Sequence, residues 1–146
     1  MEIELRLEPE REGILLTVHA PARTPEVEAL LARLGSGDEK TLLGFQGGRV
    51  EMLEIAGILR FYGEEKEVRA QTGKGVFTVR RRLYELEERL ARYEFARISH
   101  SEIVNLRQVA ALDLRLTGTI QLTLKDGTAC YVSRRYVKKI KEVLGL

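Results

Sequence analysis

Apolar and polar side chains alternate in two short stretches near the N-terminus, IELRL and ILLTV, which flank Pro9 to Gly13. A period of two residues is typical of a strand with one buried face, so the stretches predict a β-hairpin. Thr24 and Pro25 then provide a helix N-cap and a first helical residue, and Gly35 ends the apolar stripe that follows. Residues 1–44 are therefore predicted to form a small βα element.

Short β segments separated by turn residues make up most of the chain from residue 42 onward. They are TLLGF, RVEML, ILRFYG, EVRAQT, VFTVR, ALDLRL, TIQLTL and ACYV, and two amphipathic helices, RRRLYELEERLARY and RRYVKKIKEVLG, interrupt them. Asp126-Gly127 is a strong hairpin signal. The pattern predicts a mainly β domain over residues 45–146, and an α+β chain overall. Either the polar segment GSGD at 35–38 or the pair Gly47-Gly48 could mark the boundary between the βα element and the β domain.

The composition is that of a globular protein, with 44% hydrophobic and 32% charged residues among 146. No apolar stretch approaches the roughly 18 residues of a membrane span, and the N-terminus does not resemble a signal peptide. We therefore expect a cytoplasmic protein. Cys130 is the only cysteine, which excludes an internal disulfide and a thiolate zinc site, and it is predicted to be a small core residue.

The two halves of the chain differ in the sign of their charge. Residues 1–59 carry six Lys/Arg against eleven Asp/Glu, a net −5, whereas residues 60–146 carry eighteen against eleven, a net +7. A polyanion would be attracted to the second half, although unevenness of this size is also common on soluble surfaces. The asymmetry supports nucleic-acid binding without establishing it.

The chain contains little that could support catalysis. It has two histidines, His19 and His100, and it lacks the HExxH, GxSxG and phosphate-cradling glycine motifs. We therefore expect no enzyme activity, no cofactor, no metal and no small-molecule substrate.

Basic residues are concentrated at the beginning of the last predicted helix. Ser133 can cap this helix, and Arg134, Arg135 and Lys138 lie in its first turns. Free backbone N–H groups at a helix N-terminus suit a phosphate, and Arg can also donate two hydrogen bonds to guanine. Simple capping of an exposed basic helix explains the same residues, so both interpretations stay open from the residues alone.

A second basic run, Arg80 to Arg82, precedes the other amphipathic helix. Cations are electrostatically unfavourable near a helix N-terminus unless they have another use. Because Glu85 lies one helical turn after Arg81, ion pairing within the helix is the favoured interpretation of this run.

The stretch from Leu83 to Val104, together with the closing VSRRYVKKIK, resembles the LytTR family of bacterial DNA-binding domains. The matching residues are Leu83, Leu86, Glu87, Leu90, Phe95, Arg97, Ser101, Ile103, Val104 and Asn105, followed by Val132, Ser133, Arg134 and Arg135. The resemblance covers roughly the last hundred residues. With only 44 residues before it, the chain is similar to short LytTR regulators without a receiver domain, which are often encoded beside a small membrane protein.

This resemblance implies a chiefly β, elongated fold whose loops enter successive major grooves of DNA. Lys66 would supply one contact, and Ser99 to Ser101, with His100 facing the DNA, a second. Arg135 would supply the third. Arg134 and Lys138 would contact phosphates, whereas His100 and Arg135 are the candidates for reading bases.

The chain departs from the family pattern in the second contact region, where the usual order of histidine, basic residue, serine and aromatic residue becomes Ser99, His100, Ser101 and Glu102, so that a histidine occupies the basic position. Glu102 occupies the place of an aromatic residue, and a carboxylate near phosphates weakens binding unless it has a partner such as a cytosine amino group or an arginine.

We therefore expect a sequence-specific transcriptional regulator whose partner is double-stranded DNA. It would act as a homodimer or as two monomers on repeated sites, with residues 1–44 as the dimerisation segment and a functional link to a small membrane protein. One alternative is a protein-interaction module that binds an acidic partner, such as a cytoplasmic loop of a membrane protein. RNA binding is another, but the aromatic residues it would need mostly suit a core.

Overall fold

A computed structural model of the chain describes residues 1–35 and 40–146, and these form two compact units. The first unit spans Met1–Gly37 and the second spans Asp38–Leu146. This division precedes the sequence-based boundary at residue 44, so the first strand belongs entirely to the second unit. Most of the segment GSGD, at residues 36–38, lies outside the described residues.

The first unit contains the predicted helix but not the predicted hairpin. Helix α1 spans Pro25–Gly35. Thr24 precedes it and caps it, because its Oγ1 accepts a hydrogen bond from the Val27 N–H at 3.3 Å. The described residues before α1 form no strand, so the prediction of a hairpin from IELRL and ILLTV is wrong. Ile3, Leu5 and Leu7 are 88%, 81% and 81% exposed. Two strands without a further apolar surface to cover are marginally stable in water, which explains why they do not pair.

The described part of the second unit contains ten strands in two antiparallel sheets. They are β1 (Thr41–Gln46), β2 (Arg49–Glu54), β3 (Ile58–Glu64), β4 (Glu67–Thr72), β5 (Gly75–Val79), β6 (Phe95–Ser99), β7 (Glu102–Asn105), β8 (Val109–Asp113), β9 (Ile120–Leu124) and β10 (Ala129–Val132). Seven strands form one sheet in the order β2-β1-β5-β4-β3-β7-β6, and the other three form a second sheet in the order β10-β9-β8. This confirms the predicted mainly β domain.

The strands differ from the sequence prediction at two places. β6 and β7 were not predicted, because no glycine or proline separates FARIS from EIVN to mark a turn. The segment ALDLRL was predicted as a strand, but β8 ends at Asp113. The predicted Gly47-Gly48 turn is confirmed, and its φ angles of +51° and +82° are ones that glycine adopts readily.

Two further helices each cover one core of the second unit. Leu86 and Leu90 of α2 (Leu83–Leu90) pack in a core with Phe61 and other residues of the large sheet. Ile140 of α3 (Arg134–Leu144) packs in a second core, with side chains from β6, β9 and β10. Val143, also in α3, is 54% exposed. No helix among the described residues is long and apolar enough to cross a membrane.

Cys130 lies in the second core, as predicted. Burial, followed by the nearby charge of Glu102, raises the pKa of its thiol to about 12. The thiol is therefore neutral at physiological pH and behaves as a small apolar group.

Asn105, at the end of β7, is a buried polar residue that ties two segments together. Its Nδ2 donates to the Ile58 carbonyl at 2.9 Å, and its Oδ1 accepts from the Arg107 N–H at 3.1 Å. These bonds connect the start of β3 with the 3-10 turn Leu106–Gln108. Because the amide satisfies backbone groups that cannot reach water, Asn105 stabilises the fold around the large sheet.

We predict that Asn105→Ala lowers the free energy of unfolding by about 1–3 kcal/mol, because it leaves buried backbone groups without partners. Urea denaturation followed by circular dichroism measures the change. Gln108→Ala is the control, since its Nε2 also donates to a backbone carbonyl, that of Ala56, but from an exposed position. Equal losses for the two variants would contradict the role assigned to Asn105.

Candidate nucleic-acid interface

Sheet topology places two of the three predicted contact regions at the same end of the large sheet. β3 and β7 are antiparallel with Tyr62 opposite Glu102, so the turn after β3 lies beside the turn before β7. The Gly63 N–H donates to the Ser101 carbonyl at 2.9 Å and joins the two turns directly. Lys66 in the first turn and His100 in the second are both exposed at this end.

The third region adjoins the second through the backbone. The Ser133 N–H donates to the Ile98 carbonyl at 2.8 Å, which fixes the start of α3 beside the end of β6. Arg134, Arg135 and Lys138 are exposed there. The structure therefore brings the predicted site residues of all three regions to one end of the second unit.

The turn that carries Lys66 has an unfavourable backbone conformation. Glu65 and Lys66 have φ angles of +51° and +65°, in the left-handed region. Hairpin turns of this kind ordinarily use Asn-Gly, because other residues there cost about 1–3 kcal/mol each. Long charged side chains at both positions indicate that this turn is not optimised for stability alone.

Arg97 holds the turn that carries His100. Its guanidinium donates to the Ser99 carbonyl at 2.9 Å and also to the His100 carbonyl, and it forms an ion pair with Glu87 at 2.9 Å. The Arg97 side chain is only 11% exposed. Because Arg97 fixes the backbone of the turn, His100 and Ser101 face solvent in a defined position.

Glu102, which occupies the aromatic position of the family pattern, forms an ion pair inside the protein. It accepts a hydrogen bond from Arg60, whose Nε also donates to Gln71 at 2.7 Å and whose guanidinium lies 4.4 Å from the Tyr62 ring centroid. Burial acts to lower the pKa of Arg60, but the hydrogen bond and charge of Glu102 outweigh it, and this pKa is raised. The partner that Glu102 requires is therefore Arg60, and the carboxylate adds no free negative charge.

The beginning of α3 is held by backbone contacts. Ser133 occupies the N-cap position, as predicted, but its side chain makes no capping hydrogen bond. Gly118 adopts φ +76°, and a Cβ added there would lie 2.8 Å from the Arg134 Nε. Because Gly118 has no side chain, the Arg134 side chain can lie against it beside the start of the helix.

The sequence did not indicate a basic cleft that lies next to the Lys66 turn. The cleft has a volume of about 790 Å³ and includes Lys66 together with Arg80 to Arg82. The expected ion pair between Arg81 and Glu85 is not found among the described residues. Glu85 instead accepts from the Arg82 N–H at 3.4 Å. The run Arg80 to Arg82 before an amphipathic helix was the available signal, and its interpretation as an internal pair was wrong.

Comparisons with known proteins agree with the fold. A family model described as the LytTr DNA-binding domain matches residues 48–145. Uncharacterized HTH-type transcriptional regulators of Staphylococcus aureus are similar along the whole chain. The one from strain MSSA476 is 33% identical over 147 residues, covering 100% of this chain and 99% of the relative. The one from the bovine strain RF122 / ET3-1 is 34% identical with the same coverage.

A solved structure from Bacillus cereus, described as the LytTr DNA-binding domain of a response regulator, has a similar fold. The TM-score is 0.71 at 19% sequence identity, and the match covers 74% of this chain and 99% of that chain. Despite the names of the Staphylococcus relatives, the described residues contain no two α-helices joined by a short turn.

We predict that Lys66→Gly weakens DNA binding without destabilising the fold. Glycine removes the cost of the left-handed conformation, which offsets its greater freedom in the unfolded chain, so stability should stay the same or rise by up to about 1 kcal/mol. Urea denaturation and fluorescence-anisotropy titration with duplex DNA measure the two effects. A loss of more than about 1 kcal/mol would show that the Lys66 side chain supports the fold instead.

Proposed function

The chain belongs to the LytTr DNA-binding domain family of transcriptional regulators, and we propose that it binds specific duplex sequences by placing the turns at one end of its large sheet in successive major grooves. The observation that carries this proposal is the convergence of Lys66, His100 and Arg135 at that end. Each is exposed, and the one carboxylate in the His100 turn region, Glu102, is neutralised by Arg60.

The side chains divide between base contacts and phosphate contacts. Arg135 can donate two hydrogen bonds to O6 and N7 of a guanine, which is the commonest specific contact in the major groove, and His100 is the second base-reading candidate. Arg134 and Lys138 supply positive charge for phosphates. Ser101 and Ser133 lie beside these residues, and their hydroxyl groups can donate hydrogen bonds to the DNA phosphates. Lys66 provides the contact on the other side of His100.

The first unit is proposed to pair two copies of the chain. Leu16 and Val18 line a shallow apolar cleft with Val27 and Leu31 of α1. The segment IELRL is also self-complementary. If two copies align antiparallel about Leu5, each Glu4 faces the partner's Arg6 and each Ile3 faces the partner's Leu7. Cross-strand pairs of opposite charge and of apolar residues both stabilise such an arrangement.

We predict that Arg135→Ala removes sequence preference more than it removes affinity. Loss of a bidentate base contact costs about 1–3 kcal/mol on the correct site and little elsewhere. Fluorescence anisotropy with the duplex upstream of the chain's own gene, and with a scrambled duplex, measures both affinities. Lys74→Ala is the matched control, because Lys74 is an exposed cation in the turn at the opposite end of β4. An unchanged ratio of the two affinities in Arg135→Ala would contradict the assignment.

We also predict that Leu5→Glu converts a dimer to a monomer, because it places a charge at the centre of the proposed pairing. Sedimentation velocity of the full chain measures the mass. Met52→Glu introduces the same change at an exposed apolar residue of β2 and should leave the dimer intact. A wild-type monomer would refute self-pairing and would point to a different partner for the first unit, such as the small membrane protein suggested by the resemblance.

A further inference from the structure

We infer that the basic cleft beside the Lys66 turn is a second binding surface for the DNA phosphate backbone, which extends contact along the flank of the recognised site. The cleft runs between the β1–β2 turn and the connection from β5 to α2. This inference rests on the proposed function, because it uses the same duplex as its ligand.

The cleft has a strong excess of positive charge. Its cationic lining residues are Arg49, Lys66, Arg80, Arg81 and Arg82, and its two carboxylates belong to Glu67 and Glu85. Both carboxylates are already engaged within the chain. Glu67 forms an ion pair with Arg69 at 3.2 Å, and Glu85 accepts from the backbone N–H of Arg82.

Most of these cations have no acidic partner. Arg49 pairs with Glu51 at 2.9 Å, but no carboxylate of the described residues forms an ion pair with Lys66, Arg81 or Arg82. Arg80 lies over the Phe45 ring with 4.0 Å between its guanidinium carbon and the ring centroid, a contact that orients the side chain without neutralising it. Four adjacent cations therefore repel one another until an anion binds.

The position of the arginines adds to this unfavourable energy. They immediately precede α2, whose N-terminus carries a partial positive charge from the helix dipole. Neither an internal ion pair nor the helix dipole stabilises three consecutive arginines there, so a bound polyanion would relieve an unfavourable arrangement of charge.

The cleft continues the proposed DNA interface. Val79 at the end of β5 pairs with Val68 near the start of β4, so Arg80 to Arg82 emerge at the same sheet end as Lys66. Neighbouring strands lie about 4.8 Å apart, which places the arginines roughly one to two strand spacings beyond Lys66, on the side away from α3. An open cleft in this position, with Lys66 on its wall, suits a phosphate backbone that leaves the major groove.

The test uses the full chain with Arg81→Gln and Arg82→Gln combined, and with the matched pair Arg81→Lys and Arg82→Lys. Anisotropy titrations across a salt series use the duplex upstream of the chain's own gene, the scrambled duplex, and versions of the first duplex shortened stepwise from each end. Loss of two phosphate contacts should make the slope of log affinity against log salt concentration shallower by about 1.8. The wild type should therefore lose about twelvefold more affinity than the variant when the salt rises from about 50 to about 200 mM.

We expect this change on both full-length duplexes for the glutamine pair, with unchanged sequence preference, and little change for the lysine pair. Shortening the duplex at one end should remove the difference between wild type and the glutamine pair. The control is Lys74→Gln, which removes an exposed cation at the opposite end of β4. A glutamine pair whose salt slope equals that of this control would overturn the inference while leaving specific binding intact. A slope difference that persists on every shortened duplex would also overturn it, because it would place Arg81 and Arg82 on the recognised site itself and not on its flank. Failure of the wild type to prefer its own upstream duplex would instead refute the proposed function.

Discussion

The antiparallel register between β3 and β7 is the constraint on which the rest of the second unit depends. Phe61 faces Ile103 across this pair, and both side chains enter the core beneath α2. Leu59 and Val104, from the same two strands, enter the other core, beneath α3. The pairing thus joins the two cores, and it also places the turn after β3 beside the turn before β7. A shift by one residue would turn every one of these side chains to the opposite face.

Three acidic side chains near the interface form ion pairs within the chain, and this lowers the negative charge that a ligand meets there. Glu102 is paired with Arg60, Glu87 with Arg97, and Glu67 with Arg69. In ion pairs of this kind the cost of desolvating the two charges cancels most of their attraction, so the pairs add little to the free energy of unfolding. Their effect here is positional, because Arg97 also fixes the His100 turn. Cations that lack such partners, Lys66 among them, remain exposed at the surface.

The sequence by itself determined the features that depend on near neighbours. The N-cap at Thr24, the Gly47-Gly48 turn and the apolar face of α2 each require only residues a few positions apart, so local patterns predicted them correctly. The family resemblance is of the same kind, because its motif lies in one continuous stretch and one closing helix. These local signals were sufficient for the fold class and for the assignment to a DNA-binding family.

Only the tertiary structure decided the features that depend on distant partners. The residues EIVN became a strand because β3 offers an edge some 40 residues away in sequence, and FARIS became a strand by pairing with EIVN. The segment IELRL alternates more clearly but has no such edge and stays unpaired. Glu102 is neutralised because folding brings Arg60 to it, and Arg81 lacks the expected partner because Glu85 turns to the backbone. In each case the side chain or strand responds to burial and charge that only the folded chain creates.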